Sequence, residues 1–117
     1  MRVFGFLILT CALAAAAFGD VVGEYKGAGT NPGGQGSYAC DVKITRTGDA
    51  YAVQWLFDGA LGYEGVGIVK DGLFCVGYAS GQGYGVVVYE IKGDGALEGI
   101  WTTPGFDGLG RETLTKK

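Results

Sequence analysis

The chain predicts an all-β, eight-stranded antiparallel up-and-down barrel of the avidin or lipocalin kind, and three features of the sequence predict it. Seven glycine-containing turn clusters divide the chain into eight segments. After a longer first interval they recur roughly every nine to fourteen residues, the cadence of hairpin-linked strands and too short for helical crossovers. The segments between them alternate apolar and polar with a period of two, as half-buried strands do.

The turns are Asn31-Pro32-Gly33-Gly34, Thr47-Gly48-Asp49, Asp58-Gly59, Asp71-Gly72, Ser80-Gly81, Gly93-Asp94-Gly95 and Pro104-Gly105. Asp71-Gly72 is the sharpest, because Asp-Gly readily takes the two positive-φ positions of a type I′ hairpin turn. Between turns, Tyr38, Cys40, Val42 and Ile44 oppose Ala39, Asp41, Lys43 and Thr45. Tyr51, Val53, Trp55 and Phe57 oppose Ala52, Gln54 and Leu56, and Leu97, Gly99 and Trp101 oppose Ala96, Glu98 and Thr102. Leu73 to Ala79 is apolar on both faces, so Phe74, Val76 and Tyr78 have no evident inward side. A meander of this length exposes two edges unless its first strand pairs with its last, which favours a barrel, although a two-sheet sandwich fits the same strand count. Gly65, Gly67, Gly77, Gly83, Gly85 and Gly99 weaken their strands but allow tight coiling and let neighbouring rings lie across them.

Residues 1–19 have the layout of a secretory signal helix: Arg2, then an apolar run from Val3 to Phe18, with Ala17 and Gly19 flanking Phe18 as a small-x-small cleavage site. Cleavage before Asp20 leaves a β-barrel domain of residues 20–117, a secreted or periplasmic product with no membrane span. An uncleaved anchor or a lipid on Cys11 are the competing readings of the same segment. Loss of Arg2 takes the net charge from −3 to −4. That acidic balance excludes nucleic acid and anionic membrane surfaces as partners. Glycine is abundant, 24 residues in all, but so are aliphatic and aromatic residues, which argues against disorder.

Catalytic and metal chemistries fail one by one. The chain has no histidine, which removes Ser-His and Cys-His nucleophile pairs and the commonest metal ligand. Cys40 and Cys75 are separated by 34 intervening residues without a Cys-x-x-Cys pair, too few thiols for zinc. The Asp-containing turns lack the alternating oxygens of a calcium loop, and Gly27 to Gly36 precedes no Gly-Lys-Ser or Gly-Lys-Thr. Glu64, Glu90 and Glu98 fall opposite the aromatic faces and should be solvated. Glu112 shares a face with Leu114, whose inward placement would bring the carboxylate toward the barrel's interior end, and one inward carboxylate makes no acid/base pair. The sequence therefore predicts no enzyme, no metal and no cofactor.

What remains is binding. The predicted interior is Tyr38, Tyr51, Trp55, Tyr63, Tyr89 and Trp101 with Glu112, a set that serves as packed core or as the lining of a ligand site. The loop Thr30, Asn31, Pro32, Gly33 and Gly34 is the candidate binding surface at the barrel end. Cys40 and Cys75 would default to a disulfide in an oxidising compartment. Against that, the second and fifth strands lie three apart in a meander, so bridged and free states are both open.

The order Gly23-x-Tyr25, Gly29-Thr30-Asn31-Pro32-Gly33-Gly34, Gly48-Asp49-x-Tyr51-x-Val53-x-Trp55, Tyr63-x-Gly65-x-Gly67 and Gly95-x-Leu97-x-Gly99-x-Trp101 resembles a family of small exported bacterial proteins commonly labelled fibronectin-binding. The resemblance spans nearly the whole chain from Asp20 and implies an adhesin-like protein of the bacterial envelope, with Cys40 and Cys75 as departures from the family pattern. A shorter stretch, Ser80-Gly81-x-x-Tyr84 followed by Lys92-Gly93-Asp94, is similar to periplasmic inhibitors of C-type lysozyme. That likeness implies Ser80 and Lys92 as contacts in the lysozyme cleft. A hairpin turn at Ser80 and a solvated strand end at Lys92 account for the same residues.

Overall fold

The computed structural model describes residues 20–117, so the predicted signal helix and Cys11 lie outside the described residues. The strands are β1 (Gly23–Thr30), β2 (Ser37–Thr47), β3 (Ala50–Phe57), β4 (Ala60–Lys70), β5 (Leu73–Ser80), β6 (Gly83–Ile91), β7 (Leu97–Thr102) and β8 (Gly110–Lys116). A short 3₁₀ turn, Pro32–Gly34, joins β1 to β2. Each strand pairs antiparallel with the next, and β1 pairs with β8 from Tyr25↔Lys116 to Thr30↔Arg111, so the barrel is closed and has no free edge. Every interstrand connection falls on one of the seven turn clusters. Asp71 and Gly72 have φ of 54° and 77°, and Asp58 and Gly59 repeat that pattern at 52° and 81°.

Period two decides the faces. Val42, Ile44, Val53, Val76, Val87, Leu97 and Leu114 point inward with almost no exposure, together with Tyr25, Phe74 and Tyr89. On β5 the inward set is Phe74, Val76 and the half-buried Tyr78. Tyr25 belongs to the same core although it stands outside the predicted interior. Its hydroxyl donates to the Val21 carbonyl at 2.8 Å, which ties the entering chain across one end of the barrel. Arg46 covers Tyr51 beside it, donating to the phenol oxygen at 2.9 Å. This lower end, with the β2–β3, β4–β5 and β6–β7 turns, is packed shut.

Rings lie across Gly65, Gly67, Gly85 and Gly99: a Cβ on any of them would stand within 3.2 Å of an aromatic atom of Trp55, Phe74, Tyr78 or Tyr89 respectively. Gly77 and Gly83 take no ring, and at both positions the space is open. Gly77 alternates with the inward Val76, so its Cβ direction is toward solvent.

Cys40 and Cys75 are free thiols. Cys40 is 8% exposed inside the barrel, whereas Cys75 lies between the inward Phe74 and Val76 and so points outward. Opposite faces of the wall cannot be bridged, so of the two open states it is the free one that the fold adopts. No helix among the described residues is long and apolar enough to cross a membrane.

Candidate functional site

The upper end is open. A cavity of about 720 Å³ enters there, within the range of small-molecule sites, and it reaches down to Val87 and Glu112. Its rim includes Asn31 and Pro32 of the β1–β2 connection, Gln82 of the β5–β6 turn and Phe106 of the β7–β8 loop. Of the predicted loop residues, Asn31 and Pro32 face the cavity. Thr30, Gly33 and Gly34 are exposed on the rim.

The walls are aromatic and arranged as a closed circuit. Tyr38 of β2 meets Phe57 of β3 with ring centroids 6.2 Å apart, and Phe57 meets Tyr63 of β4 at 6.3 Å. Tyr63 meets Tyr78 of β5 at 5.5 Å, Tyr78 meets Trp101 of β7 at 6.4 Å, and Trp101 returns to Tyr38 at 6.1 Å. Successive planes are inclined by 59° to 86°, as the walls of a box are. Trp55 joins from below through Tyr78 at 5.7 Å. A register shift between Trp55 and Leu56 gives β4 an extra residue, Gly62, and the Phe57 ring lies over it. This bulge places Tyr63 opposite Trp55 while Phe57 pairs with Ala60, so both rings reach the mouth.

Glu112 of β8 is the floor. It is 5% exposed and is the only buried acidic side chain among the described residues. One oxygen, Oε1, accepts from the Tyr38 hydroxyl at 2.8 Å and from the Cys40 thiol at 3.9 Å. The other, Oε2, accepts from the Trp55 indole N–H at 3.1 Å and from the Tyr89 hydroxyl. Donors from β2, β3 and β6 thus converge on β8, and each is neutral. Burial and the Glu112 charge push the Tyr38 and Tyr89 phenols well above their ordinary range and the Cys40 thiol up to about 12. Tyr78 rises to about 12, chiefly by burial and then through Tyr63 and Glu112, and Tyr25 also to about 12, by burial and then Asp20.

The sign of the pH dependence follows. Folding holds these groups neutral, so between pH 9.0 or 10.0, where the unfolded thiol and phenols ionise, and about 12 the unfolded chain gives up protons that the folded chain keeps. The stability they contribute is complete below that window and is lost as pH rises through it. Absorbance titration of phenolate at about pH 11 should find Tyr25, Tyr38, Tyr78 and Tyr89 still largely protonated, leaving the native signal roughly three and a half phenolates short of the urea-unfolded one. Equal signals would show that the four phenols are not held as described.

One polar atom in this region is unserved. The Trp101 indole N–H is buried and has no hydrogen-bond partner. It is near enough to the Tyr38 oxygen to ease its ionisation slightly, but outside bonding geometry. Its ring lies across Gly110, where a Cβ would be 2.4 Å from the indole.

The predicted interior therefore divides in three. Tyr51 and Tyr89 belong to the packed core, Trp55 and Glu112 form the floor, and Tyr38, Tyr63 and Trp101 line the mouth, where Tyr63 is 36% exposed. Phe57 and Tyr78 complete the box and were not among the predicted site residues. Phe57 was readable from its parity with Trp55, while Tyr78 sits on a strand whose two faces look alike.

Ser80 and Lys92 are not brought together. The Ser80 hydroxyl accepts from the Gln82 backbone at 3.0 Å in the β5–β6 turn at the open end. Lys92 follows β6 at the closed end, 3.9 Å from both Glu90 and Glu98. The length of β6 separates them by about 30 Å at ~3.3 Å per residue. Glu64, Glu90 and Glu98 are exposed on the outer face as expected. No protein-family model matches the chain, and no curated protein matches it either.

Proposed function

We propose that this protein is an exported, non-enzymatic binding module that holds one small, largely apolar, non-anionic ligand in the mouth of its barrel. The observation that carries the reading is the open aromatic box above a buried carboxylate. An eight-stranded barrel filled along its whole length would need no such space. Packing fills the lower half and stops at Glu112 and Val87.

Glu112 sets the charge preference. An anion seated ~5 Å from the carboxylate would be repelled by ~3 kcal/mol at an effective dielectric of ~20. A single carboxylate offers a glycosidase no partner, so the geometry favours holding a molecule over transforming one. The leader-like residues 1–19 support an address in the periplasm or outside the cell.

The neutral dye N-phenyl-1-naphthylamine tests this reading. It is expected to bind one per chain, with enhanced emission and quenching of Trp55 and Trp101, the only tryptophans present. Absence of saturable binding, or binding that leaves indole emission unchanged, would overturn it.

A further inference from the structure

We propose that the ligand taken by this mouth is a small organic cation, specifically a quaternary ammonium; the inference rests on the binding reading above and narrows it to a chemical class. Three observations point there independently.

The first is charge. No Lys or Arg lines the cavity among the described residues, and the four groups that bond Glu112 are all neutral. Hydrogen bonds stabilise the carboxylate, yet no counter-ion answers its charge. In a water-poor floor that charge projects a negative potential upward into the box, and a cation is the species that gains from it.

The second is the box. Five rings at successive spacings of 5.5 to 6.4 Å enclose the mouth. For a regular pentagon of such edges the centre lies ~5 Å from each centroid, within the ~6 Å reach of a cation over a π face. Inclined rings of this kind are how proteins hold alkylated ammonium heads, whose weak hydration makes transfer from water inexpensive.

The third is hydrogen-bond accounting. Oε2 of Glu112 already accepts two donors, and Oε1 accepts the Tyr38 hydroxyl with the weak Cys40 thiol donor 3.9 Å away, so the carboxylate has little acceptor capacity left. A primary ammonium would bring N–H groups that this carboxylate cannot fully satisfy. An alkylated head asks for none.

The experiment compares acetylcholine with its neutral carbon isostere 3,3-dimethylbutyl acetate, binding each to the full protein at low salt by calorimetry and tryptophan quenching. Acetylcholine is expected to bind at least ~10-fold tighter, because shape and acceptor are the same and only the charge differs. Tyr63→Leu removes one exposed wall that makes no hydrogen bond of its own. It should lower acetylcholine affinity about fivefold and leave the isostere within about twofold. An isostere that binds as tightly as acetylcholine, undetectable acetylcholine binding, or a Tyr63→Leu effect equal for both ligands overturns the cation assignment. If N-phenyl-1-naphthylamine still binds in that case, the barrel mouth remains a ligand site of another class. If the dye fails too, both readings fall.

Discussion

Replacing Glu112 with leucine is expected to destabilise the fold by ~3–5 kcal/mol. Leucine leaves the Tyr89 hydroxyl and the Trp55 N–H, both buried, without an acceptor, and each such loss costs ~1–3 kcal/mol. Tyr38 suffers less because its hydroxyl borders the open cavity, where water can serve it. Against these losses stands one gain: a buried carboxylate carries a desolvation penalty that leucine abolishes, which keeps the net cost below the sum. Glu112→Gln retains one acceptor oxygen and the volume, so it should cost less than half as much. The denaturant midpoint reads both. A Leu variant as stable as the parent would show that the four convergent donors are not a structural hub.

A valine at Gly99 is expected to cost ~3 kcal/mol, whereas a valine at Gly77 should be neutral or stabilising by up to ~1 kcal/mol. The contrast isolates packing from strand propensity, because both glycines lie inside strands and both exchanges improve propensity equally. A Cβ on Gly99 would stand 2.6 Å from Cδ1 and 2.9 Å from Cε1 of Tyr89. That ring cannot retreat. It is fully buried, stacks on Phe74 at 6.1 Å and is held by its hydroxyl on Glu112. Overpacking at such a site forces strain on the backbone or on the carboxylate cluster. At Gly77 nothing lies within 4 Å of the added carbon, which would face solvent. Thermal or denaturant unfolding of the two variants checks the pair, and equal effects would sink the idea that rings seated on glycine hold the barrel's curvature.

The inward parity of Glu112 was legible beside Leu114, and so were Tyr38, Trp55 and Trp101 from strict alternation. What was not legible was height. Period two says which face of a strand a side chain takes, but strand tilt and stagger decide how far along the barrel axis it sits. Tyr38, Phe57, Tyr63, Tyr78 and Trp101 come from five strands and meet at one level only because the registers place them there. The Gly62 bulge shifts that register for Phe57 and Tyr63, and no alternation pattern announces it.

By its residues alone the chain determined eight strands, seven turns, the solvated positions of Glu64, Glu90 and Glu98, and the absence of histidine chemistry, because these depend on local backbone preference, alternation and composition. The closure of β1 on β8, the faces of Phe74 and Tyr78, the separation of Ser80 from Lys92, and the meeting of four donors on Glu112 were decided by tertiary structure. Each of those depends on contacts between residues far apart in sequence, whose register is set only when the barrel closes and every inward side chain must share one limited interior.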